Sequence, residues 1–177
     1  MRLFLAIPLP KAIQVALKNL QPSPAVGLSL PFAENMHITL AFIGNSNVAE
    51  VEKALQHFSA KSLSIKPEEL GVFKGRKRST LWAGLEPDQN LFYLRENLTS
   101  CLQRRNIHFD PLTWQPHITL ARCSTVANAS LMEEFLSQAF TPIESFQARE
   151  FVLYNSTLKE GLKRYEMVAH YPLKGLS

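Results

Sequence analysis

The chain has 177 residues, 46% of them hydrophobic and 19% charged, and its formal net charge is +4. This composition is typical of a globular protein and excludes an intrinsically disordered chain. The modest positive charge is compatible with a phosphate-bearing ligand without requiring one. Two cysteines, Cys101 and Cys123, are too few for a disulfide framework, and no stretch is long enough to span a membrane. We expect residues 1–177 to form one domain in a reduced, cytoplasmic compartment.

Strands and helices alternate in the first half of the chain. The apolar run at 2–7 predicts a strand, and apolar residues at helical spacing predict a helix over 11–20. A strand is predicted from residue 37 to about residue 43, and Asn47 is predicted to cap a helix over 48–58. Further strands are predicted at 62–65, at 70–73 and at 79–85.

The second half begins with the longest predicted helix, which runs from residue 88 to about residue 105 with an apolar stripe. After a loop over 106–115, a strand is predicted from residue 117 to about residue 123. Asn128 is predicted to cap the next helix. The apolar positions of that helix are Leu131, Phe135, Leu136 and Ala139. Two closing strands are predicted at 146–154 and 164–171, with a turn between them at 159–161.

One pentapeptide occurs twice in the chain. His-Ile-Thr-Leu-Ala stands at 37–41 and again, letter for letter, at 117–121, so internal self-similarity is the main feature to explain. Successive side chains of a strand point to opposite faces, and each copy therefore presents His and Thr on one face and Ile and Leu on the other. If the two polar faces meet, they bring together His37, Thr39, His117 and Thr119.

The order of elements is similar in the two halves of the chain. We therefore predict an α+β fold with two pseudo-symmetric lobes, each an antiparallel-rich sheet with helices outside. One inner strand of each lobe carries a copy of the pentapeptide, and the two strands line a central cleft.

A pair of histidines facing one ligand can supply an acid and a base together, because the pKa of imidazole lies near neutrality. Such a pair suits in-line attack on phosphorus. One imidazole takes a proton from water, and the other gives a proton to the leaving oxygen. Thr39 and Thr119 could donate hydrogen bonds to the non-bridging phosphate oxygens, where negative charge builds in the transition state.

Three other interpretations of the two copies remain open from the residues alone. A strand histidine followed by threonine is often structural, although an identical frame in both copies disfavours this. Two histidines could ligate zinc, but catalytic zinc usually has three protein ligands, and neither copy has Asp, Glu or Cys at fixed spacing beside it. We therefore expect no metal and no cofactor. The cleft could also bind a nucleotide or RNA end without turnover, although binding alone needs no matched acid and base.

The chain resembles the 2H phosphoesterase superfamily and, within it, the bacterial RNA 2',3'-cyclic phosphodiesterases, historically named 2'-5' RNA ligases. The segments that carry the resemblance are 2–10, 36–44, 116–122, 151–154 and 164–165. The resemblance implies metal-independent hydrolysis of a 2',3'-cyclic phosphate, on an RNA end or a nucleotide, to a 2'-phosphomonoester. It implies that His37 is the general acid that protonates the leaving 3' oxygen and that His117 is the base that activates water. Reversible 2'-5' ligation, or hydrolysis of another cyclic or 2'-5' linkage, is the alternative at the same site.

The resemblance implies four substrate-binding residues in a chain that we expect to be a monomer. Thr39 and Thr119 match the motif, Arg122 could steady a phosphate, and Phe42 could stack on the base. Strict alternation along a strand places Arg122 on the face opposite His117, so that it would need a β-bulge or a strand end to reach the cleft. The same alternation makes Phe42 a core residue.

The remaining aromatic, basic and histidine residues have commoner explanations than a role in the cleft. The basic loop over 74–78, with Trp82 nearby, could guide an RNA end, but a solvated hairpin tip is the usual meaning of such a run. Trp82 and Trp114 are expected in the core or at its rim. Three histidines that lack the motif are expected to be structural or exposed: His57, His108 and His170.

Overall fold

A computed structural model describes residues 1–111, 114–159 and 161–175 of the chain. Within these residues the chain forms nine strands and four α-helices. The first seven elements are β1 (Arg2–Pro8), α1 (Lys11–Lys18), β2 (His37–Asn45), α2 (Val48–Leu55), β3 (Leu63–Ile65), β4 (Pro67–Phe73) and β5 (Arg78–Leu85). The other six are α3 (Gln89–Arg104), β6 (His117–Ser124), α4 (Ala129–Ser137), β7 (Phe146–Ala148), β8 (Glu150–Lys159) and β9 (Leu162–Pro172).

Seven strands form one antiparallel sheet in the order β4-β5-β6-β2-β1-β8-β9, and β3 pairs with β7 in a small second sheet. The two strands that carry the pentapeptide, β2 and β6, lie side by side near the middle of the large sheet. Their register consists of a single pair, Ile38 with Ile118. The predicted α+β class with antiparallel-rich sheets is confirmed, and the two predicted sheets are joined edge to edge through this pair.

The strands of the large sheet are not divided between its two sides according to the two halves of the sequence. β8 and β9, which follow the second pentapeptide, extend the side that contains the first pentapeptide strand, β2. β4 and β5, which precede α3, extend the side that contains β6. The side with β6 is therefore a continuous stretch of sequence, whereas the side with β2 combines strands from the beginning and the end of the chain.

The helices cover the apolar face of the strands, and one cluster of buried side chains includes residues from α1, α2, α3 and α4. The predicted stripe of α3 is confirmed, since Leu91, Leu94, Leu98 and Leu102 are all buried. The predicted face of α4 is partly wrong. Met132 and Phe135 are the buried residues of that helix, whereas Leu136 is 48% exposed and Ala139 lies beyond the helix.

The two predicted asparagine caps differ in outcome. The Asn47 side chain accepts a hydrogen bond from the amide of Ala49 at 2.9 Å, so it caps α2 as predicted. Asn128 precedes α4 but makes no side-chain cap. Its side chain instead accepts from the Ser124 amide at 3.1 Å and donates to the Val26 carbonyl at 3.0 Å. Asn128 therefore ties the end of β6 to the loop after α1.

Several predicted boundaries shift by a few residues. Helix α1 ends at Lys18 and α2 ends at Leu55, before the predicted positions 20 and 58, and β4 begins at Pro67 rather than after it. Glu160 of the predicted turn and residues 112–113 of the predicted loop lie outside the described residues. Within the described ranges, no helix has the length and apolar character needed to cross a bilayer.

Candidate active site

The two pentapeptide histidines stand at the first positions of β2 and β6 and line one cleft of about 550 Å³. Nδ1 of His37 lies 2.7 Å from the carbonyl oxygen of Asn35, and Nδ1 of His117 lies 2.8 Å from that of Gln115. A carbonyl can only accept, so each Nδ1–H donates. Each neutral imidazole therefore keeps an unprotonated Nε2 that can exchange a proton with a ligand.

The threonines share the cleft with the histidines because of the register between the two strands. Ile38 lies opposite Ile118 in an antiparallel pair, so the neighbouring positions place His37 beside Thr119 and His117 beside Thr39. All four side chains line the cleft. The four residues that the sequence analysis predicts in one cleft therefore line one cleft in the fold.

A β-bulge in each repeat strand reverses the alternation after the threonine. In β2, Thr39 pairs with Ala6 and Ala41 pairs with Leu5, which leaves Leu40 as an extra residue. In β6, the pairs formed by Thr119 and Ala121 leave Leu120 as the extra residue in the same way. Two consecutive side chains are therefore buried in each strand, and the next side chain turns back toward the cleft.

The bulges bring Phe42 and Arg122 into the cleft. Both side chains are half-buried and line it together with the histidines. The interpretation of Phe42 as a core residue, based on strict alternation, is wrong for this reason. Arg122 reaches the cleft because the bulge at Leu120 reverses the alternation of side chains in β6.

Side chains from distant elements hold the backbone of both bulges. Nε of Arg95 donates to the carbonyl of Leu40 at 3.1 Å, and the Gln21 amide donates to the carbonyl of Leu120 at 2.9 Å. The indole N–H of Trp114 also donates to the carbonyl of Thr39 at 2.9 Å. A bulge disrupts the ladder locally, and these donors satisfy the carbonyls there.

Arg95 and Gln21 were not identified from the sequence. They lie 55 and 99 residues from the carbonyls that they bind, so no local spacing connects donor with acceptor. Trp114, expected in the core or at its rim, is half-buried and lines the cleft, with the Arg95 guanidinium 5.0 Å from its ring centre. The aromatic residue and the cation together form one wall.

Two loops hold the strands beyond the bulges in matching ways. The amide of Asp110 donates to the carbonyl of Phe42 at 2.8 Å. Ser29 and Arg122 exchange two backbone hydrogen bonds, of 2.7 and 2.8 Å. Residues 42 and 122 thus occupy corresponding positions, with one loop hydrogen bond at residue 42 and two at residue 122. The cleft therefore has an aromatic end at Phe42 and a cationic end at Arg122.

The two imidazoles have different aromatic neighbours. The ring centre of His37 lies 5.0 Å from that of Phe4 and 5.2 Å from that of Tyr165. The ring of His117 meets Phe73 edge to face at 4.9 Å, and Trp82 lies 6.3 Å away. Trp82 is 6% exposed and belongs to the buried layer, as expected.

Burial makes both histidines weaker bases than an imidazole in water. Desolvation lowers the pKa of His37 from 6.5 to about 4, although the hydrogen bond to the Asn35 carbonyl raises it. The charges of Arg122 and His117 also lower this pKa. Desolvation also lowers the pKa of His117, again with a contribution from Arg122. Both imidazoles are therefore neutral in the empty cleft at neutral pH, and the charge of a bound phosphate would raise both pKa values.

The other histidines and the basic loop lie outside this arrangement. The three further histidines, His57, His108 and His170, are exposed, and none of them lines the cleft. Residues 74–77 form an exposed hairpin tip between β4 and β5, and Arg78, also exposed, is the first residue of β5. Among the residues that the structure describes, no three His, Cys, Asp or Glu side chains are grouped so that they could hold a metal ion.

Comparison with known proteins identifies the family. The sequence model of the 2'-5' RNA ligase superfamily matches residues 9–160. The chain belongs to this superfamily. The resemblance seen in the sequence motifs is thereby confirmed, and the match includes both pentapeptide strands.

Individual members of known function and structure are similar to this member of the 2'-5' RNA ligase superfamily. It is 30% identical to the RNA 2',3'-cyclic phosphodiesterase of Geobacillus stearothermophilus, over 97% of this chain and 57% of the relative. It thus spans just over half the length of that relative. It is 29% identical to the Escherichia coli RNA 2',3'-cyclic phosphodiesterase, over 97% and 96% of the two chains. The crystal structure of E. coli LigT in its apo form has 27% sequence identity and a TM-score of 0.75, and the match covers 98% of this chain and 97% of LigT.

Proposed function

We propose that this chain hydrolyses the 2',3'-cyclic phosphodiester at the end of an RNA, or of a nucleotide, to a 2'-phosphomonoester. The observation that carries the proposal is the histidine pair in one cleft, with each Nδ1 held by the carbonyl two residues earlier. The names of the Geobacillus and E. coli relatives, RNA 2',3'-cyclic phosphodiesterases, supply the substrate class.

In the proposed reaction, one histidine removes a proton from water and the other donates a proton to the leaving oxygen. Nε2 of His117 accepts the proton as the water oxygen bonds to phosphorus. The bond from phosphorus to the 3' oxygen breaks, and His37 Nε2–H protonates that oxygen, which leaves a 2'-phosphate and a 3' hydroxyl. The roles are assigned by similarity to the family, because the cleft is pseudo-symmetric.

The remaining cleft residues would bind the phosphate and the base. Thr39 and Thr119 lie beside the opposite histidine, where their hydroxyls can donate to the non-bridging oxygens. Arg122 adds a fixed positive charge at the end of the cleft where its bulge places it. Phe42 would offer its ring to the base at the other end.

The lowered pKa values favour a cycle in which the substrate brings the acid into its charged form. His37, with a pKa of about 4, is neutral in the empty cleft at neutral pH, with its single ring proton on Nδ1 and none on Nε2. The negative charge of a bound phosphodiester stabilises an imidazolium beside it. We therefore expect bell-shaped pH profiles, with the kcat profile displaced to higher pH than the kcat/KM profile, because kcat reports the complex with bound phosphate.

Hydrolysis of a nucleoside 2',3'-cyclic phosphate, followed by phosphorus NMR in excess chelator, tests the proposal. The expected product is the 2'-phosphomonoester, formed at the same rate with and without chelator. A 3'-phosphate product, or activity that requires added zinc, would contradict the scheme. Tight binding of the substrate without turnover would instead identify a nucleotide-binding module.

Reversible 2'-5' ligation is a second candidate, favoured by the family to which the chain belongs. In that direction a 5' hydroxyl takes the place of water and the same two proton transfers form a 2'-5' linkage. Incubation of an RNA ending in cyclic phosphate with a 5'-hydroxyl RNA distinguishes the two reactions. A product of higher molecular weight indicates ligation, and loss of the cyclic phosphate alone indicates hydrolysis.

We also propose that the enzyme acts as a single-domain monomer in the cytoplasm. The two histidines lie on neighbouring strands of one sheet, so a single chain can supply both members of the pair. An RNA substrate and two cysteines left as free thiols fit a reducing compartment. Light scattering across a range of concentrations tests the monomer, and cell fractionation tests the location.

A further inference from the structure

A second depression opens directly from the cationic end of the active cleft. It has a volume of about 400 Å³ and shares four residues with the cleft, among them Arg122 and Tyr165. We call it the basic groove. Its outer wall consists of the loop that holds Arg122 and the hairpin of β8 and β9, including Phe32, Leu158, Gly161 and Lys163. A ligand held between the histidines can therefore continue into this groove past Arg122.

Three cations line the basic groove, and they come from three strands. Arg78 and Arg122 lie on neighbouring strands, because Thr80, two residues after Arg78, pairs with Arg122. Residues two apart on a strand share a face, so the two guanidinium groups lie on one face of the sheet. Lys163 completes the set from β9, and no described residue of the lining is a carboxylate.

These cations are held near each other without counter-ions among the described residues. Among the described residues, the ion pairs are Lys53 with Glu50 and His170 with Glu150, and none of these four residues lines the groove. Desolvation lowers the pKa of Lys163, and the charges of Arg122, Arg2 and Arg78 lower it further. Clustered cations of this kind raise the local concentration of anions.

An exposed aromatic ring stands among these charges. Phe32 is 43% exposed and lines the groove, and the guanidinium of Arg164 lies 5.2 Å from its ring centre. A cationic groove combined with an exposed aromatic platform is the usual arrangement for single-stranded nucleic acid, where phosphates follow the charges and bases stack on the ring. A small anion alone would need no such ring.

We propose that the basic groove binds the RNA segment that precedes the cyclic-phosphate terminus, with Arg78 and Lys163 contacting its internucleotide phosphate. The inference rests on the proposed function, because it assigns the terminal nucleotide to the active cleft. An RNA chain that ends between the histidines has to leave the cleft, and the groove at Arg122 offers a cationic exit. The preferred substrate is then an oligonucleotide rather than a mononucleotide.

Chain length is the variable that tests this proposal. We expect kcat/KM to be roughly tenfold or more higher for a dinucleotide ending in cyclic phosphate than for the nucleoside 2',3'-cyclic phosphate, the size of one charge-assisted contact. A combined Arg78→Gln and Lys163→Gln variant should reduce this ratio toward one. A control variant, Lys18→Gln, removes one charge at the exposed end of α1, away from the groove, and should keep the ratio.

Salt dependence provides a readout that altered folding would not mimic. Each phosphate contact to a single strand contributes roughly 0.7 to the slope of log binding constant against log salt concentration. The double variant should therefore show a shallower salt slope for the dinucleotide, and Lys18→Gln should not. A Lys163→Glu variant provides a second test, since repulsion should make the dinucleotide the poorer substrate.

The outcomes separate the two proposals. Equal kcat/KM for the mononucleotide and the dinucleotide, with turnover of both, would overturn the groove assignment and leave the proposed function intact. Turnover of neither substrate would overturn the proposed function and this inference with it. A length preference that survives in the double variant would place the RNA elsewhere and overturn the groove assignment alone.

Discussion

Ile38 lies directly opposite Ile118, and this pair joins the two halves of the large sheet. Both side chains are fully buried beneath the cleft. On the other face, the positions that flank the pair carry the two histidines and the two threonines, because side chains alternate along a strand. One backbone pairing between identical segments therefore sets the relative positions of the two histidines and the two threonines.

The acid-base assignment predicts that both histidines are needed for turnover. His37→Ala and His117→Ala should each lower kcat by about 10²- to 10⁴-fold, the range for loss of a general acid or base. The double variant should be little worse than either single variant, because the two groups act as a unit. His170→Ala, at an exposed histidine, is the matched control and should keep full activity. Substantial kcat in either active-site variant would contradict the scheme.

Acid should destabilise the protein through His37. Its pKa is about 4 in the folded chain against 6.5 for an ordinary histidine, so the unfolded chain takes up the proton first as the pH falls. The stabilising contribution is complete above pH 6.5 and is lost progressively as the pH falls to 4. It amounts to about 3 kcal/mol of the free energy of unfolding, at about 1.4 kcal/mol per pKa unit.

Urea unfolding at a series of pH values measures this effect of His37. A His37→Gln variant should lose less stability between pH 6.5 and 4 than the parent chain, by up to that amount. The control His57→Gln, at an exposed histidine outside the cleft, should behave like the parent. If the parent and His37→Gln lose the same stability over this interval, the imidazole of His37 is not held neutral by the fold.

Arg95 should stabilise the first bulge and position the cleft residues that follow it. Arg95→Met keeps much of the aliphatic bulk and removes the donor to the Leu40 carbonyl. The unsatisfied carbonyl should cost about 1–3 kcal/mol of the free energy of unfolding, measured by urea denaturation. The control is Arg104→Met on the same helix, where the side chain is exposed, and it should cost much less.

Gly71 leaves room for the indole that packs near His117. A methyl group at Gly71 would overlap the six-membered ring of Trp82, which is buried beside Phe73. Gly71→Ala should therefore destabilise the chain by about 1–3 kcal/mol, the usual cost of overpacking. It should also lower kcat/KM, because Trp82 lies 6.3 Å from the His117 ring.

Thermal or urea unfolding and steady-state kinetics measure the two effects of Gly71→Ala. Gly175→Ala is the control, since a methyl group there meets nothing within 4 Å. Unchanged stability in Gly71→Ala would show that the Trp82 ring can move aside at no cost.

The sequence by itself determined the order of most strands and helices and grouped His37, Thr39, His117 and Thr119 into one candidate site. Local periodicity was sufficient for the buried stripe of α3 and for the shared face of His37 and Thr39, because both depend on residues a few positions apart. The prediction for α4 was weaker, since Leu131, Met132, Phe135 and Leu136 offer two overlapping apolar faces, and packing buried Met132 instead of Leu136.

The tertiary structure alone decided how the strands are distributed between the two sides of the large sheet. It also decided where the alternation of side chains between the two faces of a strand is interrupted. Leu40 and Leu120 are the extra residues of the two bulges, and their carbonyls accept hydrogen bonds from Arg95 and Gln21, far away in the chain. The spacing of apolar and polar residues along a strand does not indicate a hydrogen-bond donor that lies so far away in the sequence. The side chains of Phe42 and Arg122 therefore face the cleft, where a period of two would have turned them away.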